Sequence, residues 1–213
     1  MLVDLLEISR FDAGAAVLDT DRTDLVPMIE RIINATEPLA RRNDVKVRFA
    51  AYERPAYVEC DPRRIDRVIR NLVDNAIEHA NGTGVVIELA GDPSAVAVAV
   101  RDFGVGLMPG EASLAFSRFW RADKARARTT GGTGLGLAIA LEDTRLHGGW
   151  LEAAGEPGQG SCFRLTLPRI TGASFTASPL PLEEGFSRAV EPGVTEQFKD
   201  QSRTETGPGT RER

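Results

Sequence analysis

The chain has few of the residues that mark a membrane protein, a disulfide scaffold or a metal centre. Its 213 residues include two cysteines and two histidines, which form no cluster with the spacing of a zinc site. Cys60 and Cys162 are expected to be buried, reduced thiols, which fits a cytoplasmic location. No apolar run approaches the ~20 residues that cross a bilayer, and the acidic start over residues 1–4 is unlike a signal peptide.

An excess of basic charge is missing as well. Twenty-six Lys and Arg residues against 31 Asp and Glu residues give a formal net charge of -5. This balance argues against nucleic acid as the main partner, because phosphate backbones select basic surfaces. The remaining composition, 42% hydrophobic and 27% charged, is typical of a globular protein with a sizeable core.

Residues 169–213 depart from that composition. They are rich in proline, glycine, serine, threonine and charge, with only scattered phenylalanine and leucine. Such a segment buries too little apolar surface to offset its ordering entropy, so the sequence predicts a disordered tail.

Hydrophobic spacing predicts alternating helices and strands before the tail. Helices are predicted over residues 2–11, from Asp24 onward, from Asp61 to Gly82 and from near Gly134 to His147. Short or alternating apolar runs predict strands over residues 16–23, 45–50, 57–58, 85–90, 96–100, 151–153 and 162–167. The polar stretch 104–132 is expected to be a mobile loop that contains one short helix.

Three polar side chains share one face of the predicted helix after Asp61. Asn71, Asn75 and His79 follow at four-residue spacing, opposite the apolar stripe. The amide oxygen of Asn75 suits Mg²⁺, which takes oxygen ligands and keeps waters and substrate phosphates in its shell. The His79 ring can lie against a flat base. Taken alone, such a face is more often an ordinary solvated surface.

A carboxylate follows the predicted strand over residues 96–100. Asp102 lies where Gly104 and Gly106 free the backbone, so it can accept a hydrogen bond from the amino group of adenine. Guanine presents a carbonyl oxygen there, and a charge-assisted bond worth ~1.5–3 kcal/mol would favour ATP over GTP. By itself, Asp-x-Gly-x-Gly is common in turns.

A third motif, Gly132-x-Gly134-x-Gly136, opens the last predicted helix. Glycines let backbone N–H groups approach phosphate oxygens, and the start of the helix adds the positive end of its dipole. The motif is neither a P-loop nor a dinucleotide fingerprint, because no Gly-Lys-Ser/Thr ends it and no buried strand precedes it. The three motifs together predict a nucleotide pocket.

In this order and spacing, the motifs resemble the N, G1 and G2 boxes of two-component sensor histidine kinases, in the gyrase/Hsp90/histidine-kinase/MutL superfamily. Residues 114–121 are similar to the F box before the ATP lid. The resemblance is closest to the MtrB-type kinases of actinobacteria and includes residues 178–181. It implies an α+β two-layer sandwich, in which about three helices cover one face of a mixed, mostly antiparallel sheet, with an ATP lid.

The same resemblance implies three regions. Residues 1–15 would end the second helix of the dimerisation and phosphoacceptor domain, residues 16–168 would be the ATP-binding catalytic domain, and residues 169–213 the disordered tail.

The resemblance also implies roles for the nucleotide-binding residues, with ATP and Mg²⁺ as cofactors. Asn75 would bind Mg²⁺, and His79 would pack on the base. Asp102 would recognise adenine by a hydrogen bond, with Gly104 and Gly106 as neighbouring nucleotide-binding residues. The residues expected along the phosphates are Gly132, Thr133, Gly134, Leu135, Gly136 and Leu137.

Further expectations concern the ATP lid and one residue of the predicted helix after Asp61. Arg118, Arg121 and Lys124 are candidates to meet the γ-phosphate, while Phe116 and Phe119 would anchor the lid to the core. Glu78, near which many relatives carry Lys or Arg, is expected to face solvent.

Position 71 separates subclasses of the superfamily. ATP-hydrolysing relatives such as gyrase carry Glu there to activate water, whereas Asn71 cannot be a general base at neutral pH. Asn71 and Asn75 are therefore the candidate catalytic residues, and transfer of phosphate to a protein is favoured over hydrolysis.

Neither histidine has the sequence context of a phosphoacceptor, which is normally followed by Glu or Asp. His147, beside two glycines, is predicted to be structural. We therefore expect a C-terminal piece of a kinase that binds ATP and phosphorylates a histidine on a separate domain. That histidine would in turn supply phosphate to a response regulator. In a full-length kinase, this piece would lie on the cytoplasmic side of the membrane. The alternatives are a non-catalytic nucleotide- or partner-binding module and an anti-sigma-type serine kinase, although relatives of the latter type usually carry Glu at position 71.

Overall fold

The computed structural model describes residues 17–121 and 133–182. The helices are α1 (Leu25–Arg42), α2 (Pro62–His79), α3 (Glu111–Leu114) and α4 (Gly136–Leu146). The strands are β1 (Asp21–Asp24), β2 (Lys46–Ala51), β3 (Tyr57–Cys60), β4 (Gly84–Gly91), β5 (Ala95–Asp102), β6 (Trp150–Glu156) and β7 (Gly160–Pro168). The helix predicted over residues 2–11 lies outside the described ranges. Within them, no helix combines the length and apolar character needed to cross a membrane.

Five strands form the central sheet, in the order β2-β4-β5-β7-β6. β2 is parallel to β4, and the other neighbouring pairs are antiparallel. The predicted mixed, mostly antiparallel sheet is therefore confirmed. The strand predicted over residues 16–23 is shorter than expected. Of the residues described there, from 17 onward, Asp21–Asp24 form the strand, because they have backbone partners in Tyr57–Cys60 within a separate two-stranded sheet.

One face of the central sheet is covered by α1, α2 and α4, which pack against β2, β5 and β6 respectively. α2 begins as predicted, since Asp61 accepts hydrogen bonds from the N–H groups of Arg63 and Arg64 at 3.1 and 3.3 Å. Pro62 occupies the first turn, where its missing N–H costs nothing. The apolar stripe of α2 is fully buried, at Ile65, Val68, Ile69, Leu72, Val73, Ala76 and Ile77.

α2 and α4 lie antiparallel, and polar contacts at both ends of α4 join it to α2. At one end, the Nε2 atom of His147 accepts the N–H of Asp61 at 3.0 Å, and its Nδ1 atom lies 2.6 Å from the carbonyl oxygen of Asp143. At the other end, Asn71 contacts Gly136. Both ring nitrogens of His147 are thus engaged, and the side chain is 3% exposed. The prediction that His147 is structural is confirmed.

Residues 169–182, which we call the outer strap, cover part of the opposite face of the sheet, over β5, β7 and β6. Leu180 is 7% exposed and packs on Ala97, Ala99 and Cys162. The Phe175 ring is centred 4.3 Å from the Trp150 ring. Residues 169–182 of the predicted disordered tail thus pack on an apolar sheet surface through a few large side chains. Residues 183–213 of the predicted tail lie outside the described part of the chain.

The strap also explains why β5 is buried along its whole length. Its valines, Val96, Val98 and Val100, belong to the core beneath the helices. Its alanines face the strap, where their small size leaves room for Leu180. The strand is therefore covered on both faces.

Candidate functional site

A cavity of about 840 Å³ opens between α2, the loop after β5, the segment after α3 and the start of α4. Its size lies in the usual range of small-molecule sites, roughly 300–1,000 Å³. All three sequence motifs contribute to it. The predicted site residues that line the cavity are Asn71, Asn75, His79, Gly106, Arg121, Thr133, Gly134, Gly136 and Leu137.

The α2 wall presents the predicted amide and imidazole groups. Asn71, Asn75 and His79 are each half-buried, on the face opposite the apolar stripe. Asn71 donates from Nδ2 to the carbonyl oxygen of Gly136 at 3.0 Å. This bond holds α2 against the first residue of α4, and so places the amide groups beside the positive end of the α4 dipole.

Asp102 ends β5 and is 1% exposed. One carboxylate oxygen accepts the N–H of Gly104 at 2.9 Å, and the other accepts the hydroxyl of Ser161 at 2.5 Å. Ser161 lines the cavity, whereas Asp102 does not. An ionised carboxylate has about four lone-pair positions, so two accepted bonds leave capacity for a further donor. Ser161 was missed in the sequence because no motif surrounds it.

Close backbone packing explains the two glycines after Asp102. A Cβ atom on Gly104 would lie 1.9 Å from the carbonyl oxygen of His79, and one on Gly106 would lie 1.8 Å from that of Glu156. Gly106 also has a φ of 71°, which a side chain would strain. Gly104 lies outside the cavity lining and holds the loop against the end of α2, whereas Gly106 lines the cavity.

The glycine-rich segment before α4 lines the cavity at Thr133 and Gly134. Gly134 has a φ of 69° and accepts the N–H of Phe119 at 2.9 Å. The Thr133 hydroxyl oxygen accepts the N–H of Leu135 at 3.3 Å. The Leu135 side chain is buried against Ile139 and does not line the cavity. The Leu135 side chain thus packs against α4, and the expectation that its segment lies along the phosphates stays a prediction.

Of the basic residues predicted near the γ-phosphate, Arg121 lines the cavity. Arg118 is exposed and does not contribute to the lining. Lys124 lies outside the described residues, as does Gly132.

The two predicted lid anchors behave differently. The Phe116 ring packs edge-to-face on Phe163 with centroids 6.0 Å apart, and the side chain contacts the main core. Phe119 is 65% exposed, so its expected role as an anchor is wrong. Its φ of 63° turns the backbone so that the N–H, rather than the ring, makes the contact with Gly134.

Two carboxylates on the cavity wall were not expected there. Asp74 and Glu78 are half-buried and line the cavity, which corrects the expectation that Glu78 faces solvent. Burial raises the pKa of Glu78, and the Asp74 charge raises it further, while Arg121 lowers it. Burial also raises the pKa of Asp74, against the effect of Arg70. The cavity thus contains carboxylate groups as well as the guanidinium of Arg121.

The donor set of the cavity fits Mg²⁺ brought in with a nucleotide. Among the described residues, no group of three His, Cys, Asp or Glu side chains is placed to hold a metal ion. Asn75, whose side chain carries an amide oxygen, lines a cavity large enough for phosphates and water, which commonly complete the octahedral shell of Mg²⁺.

Comparison with known proteins identifies a family of ATPases and similar sensor histidine kinases. Residues 60–171 match the family described as "Histidine kinase-, DNA gyrase B-, and HSP90-like ATPase". The sensor histidine kinase MtrB of Mycolicibacterium paratuberculosis is 52% identical over 183 residues, which cover 86% of this chain and 32% of the relative. The chain thus spans about a third of the length of that curated relative.

Solved structures resemble the fold over most of the chain. ShkA, crystallised full-length with AMPPNP, superposes with a TM-score of 0.70 and 26% identity, over 80% of this chain and 35% of that one. The catalytic domain of the histidine kinase ThkA gives a TM-score of 0.62 and 27% identity, over 71% and 99% of the two chains. With the boxes brought to one cavity and a family match over more than half its residues, the chain belongs to the histidine kinase-, DNA gyrase B- and HSP90-like ATPases, as a catalytic domain of the sensor histidine kinase type.

Proposed function

We propose that this domain binds ATP with Mg²⁺ and transfers the γ-phosphate to a histidine of a dimerisation and phosphoacceptor domain, in a two-component pathway that ends on a response regulator. The observation that carries the proposal is the single cavity lined by Asn75, Thr133 and Arg121. These residues bring together an oxygen ligand for a cation, the N-terminal end of a helix for phosphates, and a guanidinium for negative charge. A named relative is a sensor histidine kinase, and one structural neighbour was crystallised with AMPPNP.

Base recognition is assigned to the end of the cavity near Asp102 and His79. The carboxylate of Asp102, fixed by Ser161 and Gly104, would accept a hydrogen bond from the amino group of adenine. The His79 ring would pack on the face of the base. Bound Mg²⁺, with Asn75 as a ligand, supplies charge neutralisation to the phosphates.

The chemistry of position 71 supports transfer to a protein. Phosphoryl transfer depends on positioning and charge neutralisation more than on covalent chemistry. Asn71 has no basic group, and its amide donates to the carbonyl of Gly136. A water molecule beside it would therefore not be deprotonated by this side chain.

The acceptor histidine is proposed to lie on another domain. His147 is buried with both ring nitrogens bonded, and His79 belongs to the cavity wall. The buried, reduced thiols of Cys60 and Cys162 are consistent with action on the cytoplasmic side of a membrane.

The test is transfer of label from γ-labelled ATP with Mg²⁺, with and without a separately supplied MtrB-type phosphoacceptor domain. We expect acid-labile label on that domain, reduced at least about tenfold in both Asn75→Ala and Asp102→Asn. The first substitution removes a ligand of Mg²⁺, and the second removes the charged acceptor of the bond from adenine. Asn34→Ala is the matched control, because Asn34 is an exposed asparagine on α1 outside the cavity.

Other outcomes assign the chain differently. Acid-stable label on serine would support an anti-sigma-type serine kinase. ATP binding without any transfer to the supplied domain would refute the kinase proposal and leave a nucleotide-binding module. Equal labelling by the wild type and both cavity variants would show that this cavity is not the phosphoryl donor site.

A further inference from the structure

The loop after β5 is enclosed between the end of α2 and the turn over residues 157–159, which joins β6 to β7. On one side, Val105 donates its N–H to the carbonyl oxygen of His79 at 3.3 Å. On the other side, the carbonyl oxygen of Val105 accepts the N–H of Gly158 at 2.8 Å. The loop that follows Asp102 is therefore held by backbone hydrogen bonds from both sides.

Gly160, the first residue of β7, packs directly on the backbone of this loop. A Cβ atom on Gly160 would lie 2.0 Å from the carbonyl oxygen of Asp102 and 2.7 Å from the Cα atom of Phe103. Gly158 has a similar positive φ, 76° against 92° for Gly160, but a Cβ atom added to it would meet nothing within 4 Å. Both glycines thus adopt a backbone conformation that side chains disfavour, and they differ in whether they pack on the residue that carries the carboxylate.

The same contact bears on the direction of the Asp102 carboxylate. Ser161 follows Gly160 in the chain and donates its hydroxyl to one carboxylate oxygen at 2.5 Å. Gly104 donates its N–H to the other oxygen at 2.9 Å. Hydrogen bonds weaken steeply as their distances and angles depart from the ideal. The separation of Gly160 from Asp102 therefore affects both the place of the carboxylate and the bonds that fix it.

We propose that Gly160 is a positioning residue for base selectivity, because its close packing on Asp102 sets where the carboxylate meets the amino group of adenine. The inference rests on the proposed function, which takes Asp102 as the acceptor of that bond. Gly160 does not line the cavity and acts through Asp102. A Cβ atom at this position would push the loop and the turn apart, while Thr133 and Gly134 at the start of α4 stay in place.

The first arm of the test uses no nucleotide and measures amide hydrogen exchange by NMR. Gly160→Ala is expected to speed the exchange of the Gly104 and Val105 N–H groups at least about tenfold, because the packed loop opens locally. Gly158→Ala is the matched control. It introduces the same side chain at a positive φ in the same turn, without the steric clash, and should leave both rates unchanged.

The second arm measures dissociation constants of ATP, ADP and GTP by calorimetry. Gly160→Ala is expected to weaken ATP and ADP equally, by about tenfold, as for one impaired charge-assisted hydrogen bond to the base. The affinity for GTP should stay as in the wild type, so the preference for ATP over GTP falls about tenfold. Gly158→Ala should keep the wild-type preference.

A milder variant approaches the same contact without a positive φ. A Cβ atom on Gly155 would lie 2.9 Å from the carbonyl oxygen of Gly160 and 3.1 Å from the Cγ atom of Leu107. Gly155→Ala is therefore expected to lower the preference for ATP over GTP in the same direction, by about threefold. It decides the question if Gly160→Ala does not fold.

Three results would overturn the proposal. Equal losses of ATP and GTP affinity would show a general structural effect of the added side chain. A loss of preference in Gly158→Ala as large as in Gly160→Ala would assign the effect to backbone strain. Unchanged exchange at Gly104 and Val105 would show that Gly160 does not hold the loop. If the wild type bound no ATP, the proposed function would fail, while the exchange arm would still decide whether Gly160 positions the loop.

Discussion

Asp102 and Ser161 show what strand pairing adds to a motif at the scale of single residues. The Asp-x-Gly-x-Gly motif identified Asp102 as a candidate, but its partner Ser161 comes from β7, directly opposite in the antiparallel register. A lone serine so distant along the chain has no local signal. A residue that is proposed to contact a ligand, such as Asp102, can be found from a motif. A residue that positions it, such as Ser161, depends on strand pairing, which the motif does not contain.

Replacing Ser161 tests that dependence. Ser161→Ala removes one of the two hydrogen bonds to the buried Asp102 carboxylate. We expect ATP binding to weaken about three- to tenfold, the size of one net hydrogen bond of ~1 kcal/mol, as measured by calorimetry. Ser113→Ala, an exposed serine that bonds within its own turn, should bind ATP like the wild type. An unchanged affinity in Ser161→Ala would show that Asp102 needs no such support.

His147 makes the stability of the domain depend on pH. Burial lowers the pKa of His147, although Asp143 and Asp61 favour protonation. The folded state holds the ring neutral, because Nε2 accepts the N–H of Asp61, while the unfolded chain protonates near pH ~6.5. The unfolded state therefore binds more protons below that pH, and stability falls as the pH drops from about 6.5 toward the lowered pKa.

Urea unfolding of the wild type and of His147→Gln between pH 8 and pH 5 measures this contribution. The stability advantage of the wild type should be largest above pH 7 and shrink in acid. A difference that stays constant across this range would show that His147 has the same proton affinity in both states.

At the scale of elements, the sequence predicted where helices begin better than it predicted which elements pack against them. Asp61 and Pro62 mark the start of α2 correctly, and α4 begins two residues after the expected Gly134. Periodicity reports which face of a helix is buried, but not which helix lies beside it. The antiparallel packing of α2 and α4 depends on polar contacts between distant residues, as at Asp143.

Asp143 and its neighbour Glu142 allow a matched test of that packing. Asp143 is fully buried and accepts hydrogen bonds from Arg64 and Arg67 at 2.8 and 2.7 Å. Glu142 pairs with Arg145 at the surface. Asp143→Ala leaves two partly buried guanidinium groups without this partner, and we expect a loss of roughly 2–4 kcal/mol in the free energy of unfolding.

Glu142→Gln should change the same quantity by less than about 0.5–1 kcal/mol, because exposed pairs contribute little. Both changes in the free energy of unfolding are obtained from the midpoints of urea unfolding curves whose m-values are the same as that of the wild type. Equal effects of the two substitutions would mean that burial of Asp143 does not make its ion pairs important to stability.

At the scale of the whole molecule, the sheet is covered on both faces by different means. Helices α1, α2 and α4 cover the face that supports the cavity, and the outer strap covers part of the other, over β5, β7 and β6. The composition of residues 169–213 does not predict the packing of the strap, because its few large apolar side chains are outnumbered by polar residues. Leu180 packs on Ala97, Ala99 and Cys162 together with the partly buried Leu182, so a few apolar side chains cover this part of the sheet.

The two cysteines make the strap testable in a single experiment. Burial raises the pKa of Cys60 and of Cys162 to about 11, so both thiols should resist labelling at pH 8. Cys162 lies beneath Leu180, whereas Cys60 belongs to the core under the helices. Leu180→Ala opens the strap and should expose Cys162 alone, at a stability cost of about 2 kcal/mol, since an exposed thiol regains its ordinary acidity and reactivity.

Labelling followed by mass spectrometry of the two cysteine peptides distinguishes local from global opening. We expect faster modification of Cys162 with Cys60 unchanged, and the same ATP affinity as the wild type, because the strap and the cavity lie on opposite sides of the sheet. Ile170→Ala is the control within the strap, since Ile170 is 63% exposed. Equal acceleration at both cysteines would mean that the substitution destabilises the whole domain, and that the strap is part of one cooperative fold rather than a cover that opens independently.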